Sequence, residues 1–204
     1  MRLKNVYSMD QIDVHTKLIN EYLDKIYPYL SICQNSKVLE IGPYNGLHTQ
    51  VVKSYDPQQI TLVELNKSAL IALKNDYSEC EIIENDIFHY LEQPREFDVV
   101  LCCGVLYHFH SPLYLLELIV NRTSPKYVCI ESYHSSVLAV HTEDDNTQGA
   151  RQIKANWKSA NISLEIPKEI IINAMQNLGY KLNVCNEALV KFEETPFFCV
   201  FEKI

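Results

Sequence analysis

Apolar positions along the chain fall into short blocks that alternate between two periods. From about Asp10 to Leu30 they recur at helical spacing, at Ile12, Leu18, Ile19, Tyr22, Leu23 and Ile26, and Pro28 ends or kinks that helix. Lys37–Ile41 is a short apolar run cut off at Gly42, the pattern of a buried strand, and a helix follows from Leu47 to about Ser54. Ile60–Leu65 is a second strand. Asn66 then stands where it caps a helix through Asn75 that buries Leu70 and Leu73. Glu81–Ile83 and the most apolar run, Phe97–Cys103, are the third and fourth strands. Ser111-Pro112 starts a helix, with Ser as cap, Pro at a position whose amide is not needed, and Leu113, Leu116 and Val120 as the apolar stripe. Tyr127–Glu131 is the fifth strand. Residues 133–165 are polar and weakly periodic. Pro167 opens a last helix that faces inward with Ile170, Ile171, Ala174, Met175 and Leu178 and ends at Gly179; Tyr180–Val184 and Phe197–Phe201 form a closing strand pair.

Strands that are apolar throughout and alternate with helices predict an α/β protein with a mostly parallel sheet covered on both faces. Such sheets bind ligands beyond the carboxyl ends of their strands, where the strand order reverses. With 204 residues, no repeat and no long linker, the chain reads as one domain over 1–204: an N-terminal helix 10–30, a ligand-binding half 36–110 and a cover 133–165.

Composition narrows the partners. Eighteen Lys and Arg face 26 Asp and Glu, and a net charge of −8 repels nucleic-acid backbones and acidic membranes. Seven cysteines include no C-x-x-C pair and sit mostly in apolar runs, so they read as buried reduced thiols. Neither a signal-peptide core nor a membrane-length apolar run is present, and the expected location is the cytoplasm. His108, His110, His134 and His141 lack regular ligand spacing, and no metal site is expected.

Candidate chemistry gathers after the strands. The first strand runs into Glu40-Ile41-Gly42-Pro43-Tyr44-Asn45-Gly46. A dinucleotide fingerprint needs glycine where Tyr44 and Leu47 stand, and a P-loop needs Lys-Ser/Thr where Leu47-His48 stand. Glu40 suits a cationic ligand better than a phosphate, and S-adenosylmethionine carries a sulfonium and an ammonium. Glu64, beside Leu65 after the second strand, is placed to accept both ribose hydroxyls, as acids do in dinucleotide folds. After the third strand, Asp86 and Ile87 can take the adenine amino group and ring; alternatively Asp86 caps the helix that begins at Ile87. Cys103-Gly104 follows the fourth strand.

On these pieces the chain resembles the class I S-adenosylmethionine-dependent methyltransferases: Val38–Gly46, Leu62–Leu65, Glu84–Ile87 and Phe97–Leu101 occur in the family's order and spacing. Gly104–Leu113, with its Leu-Tyr-His, is similar to small-molecule and tRNA-wobble branches. The resemblance implies a Rossmann-like seven-stranded sheet in the order 3-2-1-4-5-7-6, last strand antiparallel, helices on both faces. It implies cofactor contacts from Glu40, Gly42, Tyr44, Gly46, Glu64, Leu65, Asp86, Ile87, Cys103 and Gly104. Tyr44 departs from the family's usual glycine and narrows the methionine end of the pocket.

A sulfonium is a good leaving group, so alignment of the acceptor does most of the work. His108, after the fourth strand, and His134, after the fifth, are the candidate bases; equally, Tyr107 and His108 line the cofactor or pack under the next helix. Glu131 and Tyr133 face the same cleft. Tyr107, Tyr133, Arg151 and Trp157 are the candidate substrate contacts, Trp157 for stacking and Arg151 for an anion. The expected reaction is methyl transfer to a small molecule, leaving S-adenosylhomocysteine. The alternatives are an RNA or tRNA-nucleoside methyltransferase and a non-catalytic S-adenosylmethionine-binding protein.

Overall fold

A computed structural model describes residues 20–133, 139–142, 162–187 and 196–204. Helix α1 is described over 20–26 and tightens into a 3-10 turn, Tyr27–Cys33, with Pro28 in its first turn. Proline lacks the amide that an α-helix needs there, so the chain changes hydrogen-bond period instead of continuing. There follow β1 (Lys37–Ile41), α2 (Leu47–Lys53), β2 (Gln59–Glu64), α3 (Lys67–Asp76), β3 (Glu81–Glu84), α4 (Ile87–Tyr90), β4 (Val99–Cys103), α5 (Pro112–Thr123) and β5 (Tyr127–Tyr133). The last part holds β6 (Ala139–Thr142), β7 (Ile162–Glu165), α6 (Lys168–Asn177), β8 (Tyr180–Glu187) and β9 (Pro196–Lys203).

The main sheet has seven strands in the order β3-β2-β1-β4-β5-β9-β8. β1 to β5 pair in parallel, and β9 is antiparallel to both β5 and β8. Counting only its members, that is 3-2-1-4-5-7-6 with the last strand reversed, as expected. The order reverses between β1 and β4, which puts the ligand crevice above their carboxyl ends.

Side chains alternate across the sheet. Leu39, Ile41, Val63, Val100, Cys102, Val128 and Ile130 face one way and pack with Leu115, Leu116 and Ile119 of α5 and Ile171 and Met175 of α6. Val38, Leu62, Val99, Leu101, Cys103 and Cys129 face the other way, against Tyr22, Ile26, Leu30, Val51, Val52 and Leu73. Register carries the alternation to the acids: Glu40 lies on the Val38 side, Glu64 on the Leu62 side and Glu131 opposite Cys103.

Several details depart from the pattern read along the chain. Leu113 is 41 % exposed, and the stripe of α5 is Leu115, Leu116, Leu118 and Ile119. Ser111 holds the cap position, but its side chain makes no capping bond; its carbonyl takes the Leu115 amide. Ile170 is also exposed, while Ile171 and Met175 carry the burial of α6. The weakly periodic stretch contains β6 and β7, an antiparallel pair in which Ala139 lies opposite Glu165 and Thr142 opposite Ile162. All seven cysteines are free thiols, with Cys185 and Cys199 facing each other across β8 and β9, Sγ to Sγ 2.6 Å. Among the described residues, no helix is long and apolar enough to cross a membrane.

Candidate cofactor and active site

The site is built where β1, β2, β4 and β5 end. After β1 the chain reverses through Gly42 (φ 63°), Tyr44 (φ 49°) and Gly46 (φ 75°), and Gly46 becomes the N-cap of α2. Gly46 has no room for a side chain, because a Cβ there would stand 2.2 Å from the Tyr77 ring. The Tyr77 hydroxyl donates to the Gly46 carbonyl at 2.8 Å and ties α3 to the loop. Tyr44 holds a left-handed backbone that favours glycine, and its ring is 45 % exposed.

Glu64 explains how Tyr44 is held. Its Oε2 accepts the Tyr44 amide at 2.9 Å, and its Oε1 accepts the amides of Leu65 and Asn66, both at 2.7 Å. A carboxylate has about four lone-pair sites. Three are taken by backbone, which leaves about one acceptor site for a ribose hydroxyl unless an amide is displaced. The expectation that Glu64 accepts both hydroxyls is narrowed accordingly. Its first job is to join the loop after β1 to the loop after β2.

Glu40 is buried under the loop, and the Thr49 hydroxyl of α2 donates to its Oε2 at 2.6 Å. Burial pushes its pKa up to about 7; the Thr49 bond opposes that shift and the neighbouring Glu64 adds to it. Beside it, Tyr22 and His48 form a buried pair, Oη to Nε2 2.8 Å. Burial lowers the His48 pKa to about 4 and raises that of Tyr22, so both are neutral near pH 7.

Past β4, Gly104 (φ 67°) turns the chain, and its amide donates to the Glu131 carbonyl at 3.1 Å. A Cβ on Gly104 would stand 3.2 Å from Glu131 Oε2, so the carboxylate lies directly under this turn. Glu131 is 9 % exposed, and burial raises its pKa to about 7. Among the described residues its carboxylate makes no hydrogen bond or ion pair, unlike those of Glu40 and Glu64. A buried acid without a partner is costly, and it fits a cationic ligand and not a phosphate. The signal in the sequence was an acid closing the apolar run Tyr127–Ile130; which acid lacks a partner is visible only in three dimensions.

The remaining candidates divide. Asp86, beyond β3, accepts the Phe88 amide through Oδ1 at 2.8 Å and caps α4, the alternative foreseen for it. Ile87 is buried in the core beside it, Leu65 is 36 % exposed at the rim and Cys103 is buried at the end of β4. Tyr107 and His108 occupy a 3-10 turn, Leu106–His108, with ring centroids 4.3 Å apart, both half-buried. β7 packs against that turn, so the β6–β7 pair rises beside the cleft. Tyr133 ends β5; its side chain and all of His134, Arg151 and Trp157 lie outside the described residues.

A parallel sheet with a glycine-turned loop after β1 and acids at successive strand ends defines a nucleotide-cofactor fold adapted to a cationic ligand. Residues 39–130 match the family described as "Methyltransferase domain". The chain is 28% identical over 194 residues to ribosomal RNA small subunit methyltransferase A of Malacoplasma penetrans (strain HF-2), covering 92% of this chain and 67% of that protein. It is 30% identical over 125 residues to a tRNA U34 carboxymethyltransferase of Vibrio cholerae serotype O1 (strain ATCC 39541 / Classical Ogawa 395 / O395), covering 56% of this chain and 38% of that one. Thus the chain spans about two thirds of the first relative's length and under two-fifths of the second's. Among solved structures it resembles magnesium protoporphyrin IX methyltransferase from Synechocystis PCC 6803 with bound SAM, at TM-score 0.70 and 9% identity, covering 98% of this chain and 86% of that one. Residues 39–130 thus match a methyltransferase domain, and the chain shares the fold of a solved S-adenosylmethionine-bound methyltransferase.

Proposed function

We propose that the protein binds S-adenosylmethionine above β1, β2 and β4 and moves its methyl group in line to a small-molecule acceptor, leaving S-adenosylhomocysteine. The observation that carries this reading is the charge of the cleft. Glu40, Glu64 and Glu131 all lie on one face of the sheet at its carboxyl edge, and the Glu40–Gly46 loop holds no basic residue. A phosphate-bearing cofactor would be repelled there, whereas a ligand with a sulfonium and an ammonium is matched. Bound S-adenosylmethionine supplies an activated methyl group. Glu64 offers its open lone pair to the ribose, Asp86 and Ile87 border the adenine, and Tyr44 covers the methionine end. His108 would take the acceptor's proton, with His134 as the second candidate base. Tyr107, Tyr133, Arg151 and Trp157 hold the acceptor, and 133–165 form its cover.

The net charge of −8 supports a small acceptor over a polyanion. The relatives that act on ribosomal RNA and tRNA favour a second reading, methylation of an RNA nucleoside. Methyl-labelled S-adenosylmethionine, supplied once with a metabolite extract and once with total RNA, separates the two. Label in a small molecule is expected, and label in RNA alone reverses the ranking. Calorimetry is expected to show binding of S-adenosylmethionine and none of NAD; the opposite pattern rejects the cofactor. On the identified acceptor, His108→Ala is expected to lose turnover by about 10²–10⁴-fold, and full retention removes its role as base.

A further inference from the structure

We infer that Glu131 is the counter-ion for the α-ammonium group at the amino-acid end of the cofactor. This rests on the cofactor reading above and adds to it an anchor from β5, a strand to which that reading assigns no cofactor contact.

Three acids share one face, and they differ in what already holds them. Glu64 spends its oxygens on three backbone amides. Glu40 lies beneath the loop and takes the Thr49 hydroxyl. Glu131 is the one of the three whose carboxylate accepts no hydrogen bond among the described residues, although it is 9 % exposed. Among the described residues, the groups packed around it do not neutralise it: Tyr22 of α1 with its partner His48 of α2, Cys102 and Cys103 of β4, Cys129 of β5, and Glu40 of β1 farther along the face. Protonated phenol, protonated thiols and neutral imidazole carry no positive charge, so among the described residues no protein cation answers the carboxylate, and a cationic ligand would.

Register places that ligand. Glu40 lies opposite Leu101, which sets Gly42 level with Cys103, and Cys103 lies opposite Glu131. Adjacent strands are about 5 Å apart. An ammonium above the end of β4 is therefore within reach of Glu131 on one side while the adenosine is held over β1 and β2 on the other. Gly104 completes the approach, because its missing side chain leaves the carboxylate uncovered; a Cβ there would stand 3.2 Å from Oε2. The raised pKa agrees with this role: near pH 7 the ligand-free carboxyl is about half protonated, and an arriving ammonium drives the proton off.

The test compares S-adenosylhomocysteine with its desamino analogue, which keeps the adenosine and the carboxylate and lacks the amine. By calorimetry at pH 7, the wild-type protein is expected to prefer the amine by about 10- to 100-fold, the strength of a hydrogen bond to a charged group. Binding of S-adenosylhomocysteine should release roughly half a proton, seen as a dependence on buffer ionisation enthalpy. Glu131→Gln should abolish both the preference and the release while binding of the desamino analogue stays within about threefold; Glu40→Gln should keep the preference. Should the glutamine variant not fold, Glu131→Asp keeps the charge but retracts it, and should lower the preference several-fold without affecting the analogue. Retention of the full preference in Glu131→Gln, or in Glu131→Asp where that variant stands in, overturns the assignment, as does its loss in Glu40→Gln instead. Failure of the wild-type protein to bind either compound would reject the cofactor reading itself, a different result from unchanged discrimination.

Discussion

The two faces of the sheet use the same alternation for opposite ends. On the α5–α6 face the inward strand residues are apolar apart from Thr61 and Ser132, and Phe197, Phe201, Tyr180 and Met175 close the cluster. On the α1–α3 face the rows begin apolar and finish at the carboxyl edge in Glu40, Glu64 and Glu131. One face stores stability. The other gives some up to hold unneutralised acid where a ligand arrives, as functional sites commonly do. Changes on the first face should therefore lower stability and spare ligand affinity, and changes to the acids of the second should lower ligand affinity, with a loss of stability only where the side chain also holds backbone.

The largest effect is expected from Phe201→Ala. Phe201 is fully buried on β9, opposite Val128 of β5 and Leu182 of β8 and away from the carboxyl ends. Removing the ring costs about 3–5 kcal/mol, read from the denaturant midpoint. Affinity of the folded fraction for S-adenosylhomocysteine should not change. A fall in that affinity would show the faces to be coupled.

Next is the pH dependence of the ligand-free protein. The Glu131 carboxyl is raised from 4.5 to about 7, so the folded state binds more protons than the unfolded state between those values. Stability falls as pH rises through that window and is level above it. Glu131→Gln should remove about 3 kcal/mol of that fall between pH 4.5 and 8. Glu40, also raised to about 7, keeps its own share in this variant. Denaturant melts at the two pH values measure the slope, and an unchanged slope would mean that Glu131 is charged in the fold at no cost.

Much of this division was legible in the sequence. The apolar run Lys37–Ile41 predicts a strand with the bounds it has, and strand order, the closing antiparallel strand and the Asn66 cap also hold. Period and capping chemistry are local, so they survive in a linear text. What was hidden depends on partners distant in sequence. That Glu40 is engaged requires Thr49 on the next helix, and that Glu64 is engaged requires the amide of Tyr44. Only then does Glu131 stand out. The exposure of Leu113 was hidden for a related reason: spacing gives a helix its stripe, but the rotation of α5 is set by the sheet it covers.

Glu64→Ala comes third. Three amides lose a charged acceptor, and stability should drop by about 1.5–3 kcal/mol, since water can reach part of what is released. Affinity for S-adenosylhomocysteine should fall as well, because both loops lose their tie and the ribose loses its acceptor. Unchanged affinity would leave Glu64 as a structural latch only.

The smallest pair of effects lies at two helix starts, one on each face. Asn66 Oδ1 accepts the amides of Ser68 and Ala69 at 2.9 and 3.1 Å, so Asn66→Ala should cost about 1 kcal/mol. Ser111 precedes Pro112, which has no amide, and its hydroxyl makes no capping bond. Ser111→Ala should therefore change stability by no more than a few tenths of a kcal/mol. Denaturant midpoints of the two variants, measured side by side, decide this. Equal costs would mean that the Ser111 hydroxyl does cap α5, and the start of that helix, just past the Leu106–His108 turn, would then be held by the serine as well as by the burial of Leu115 and Leu116.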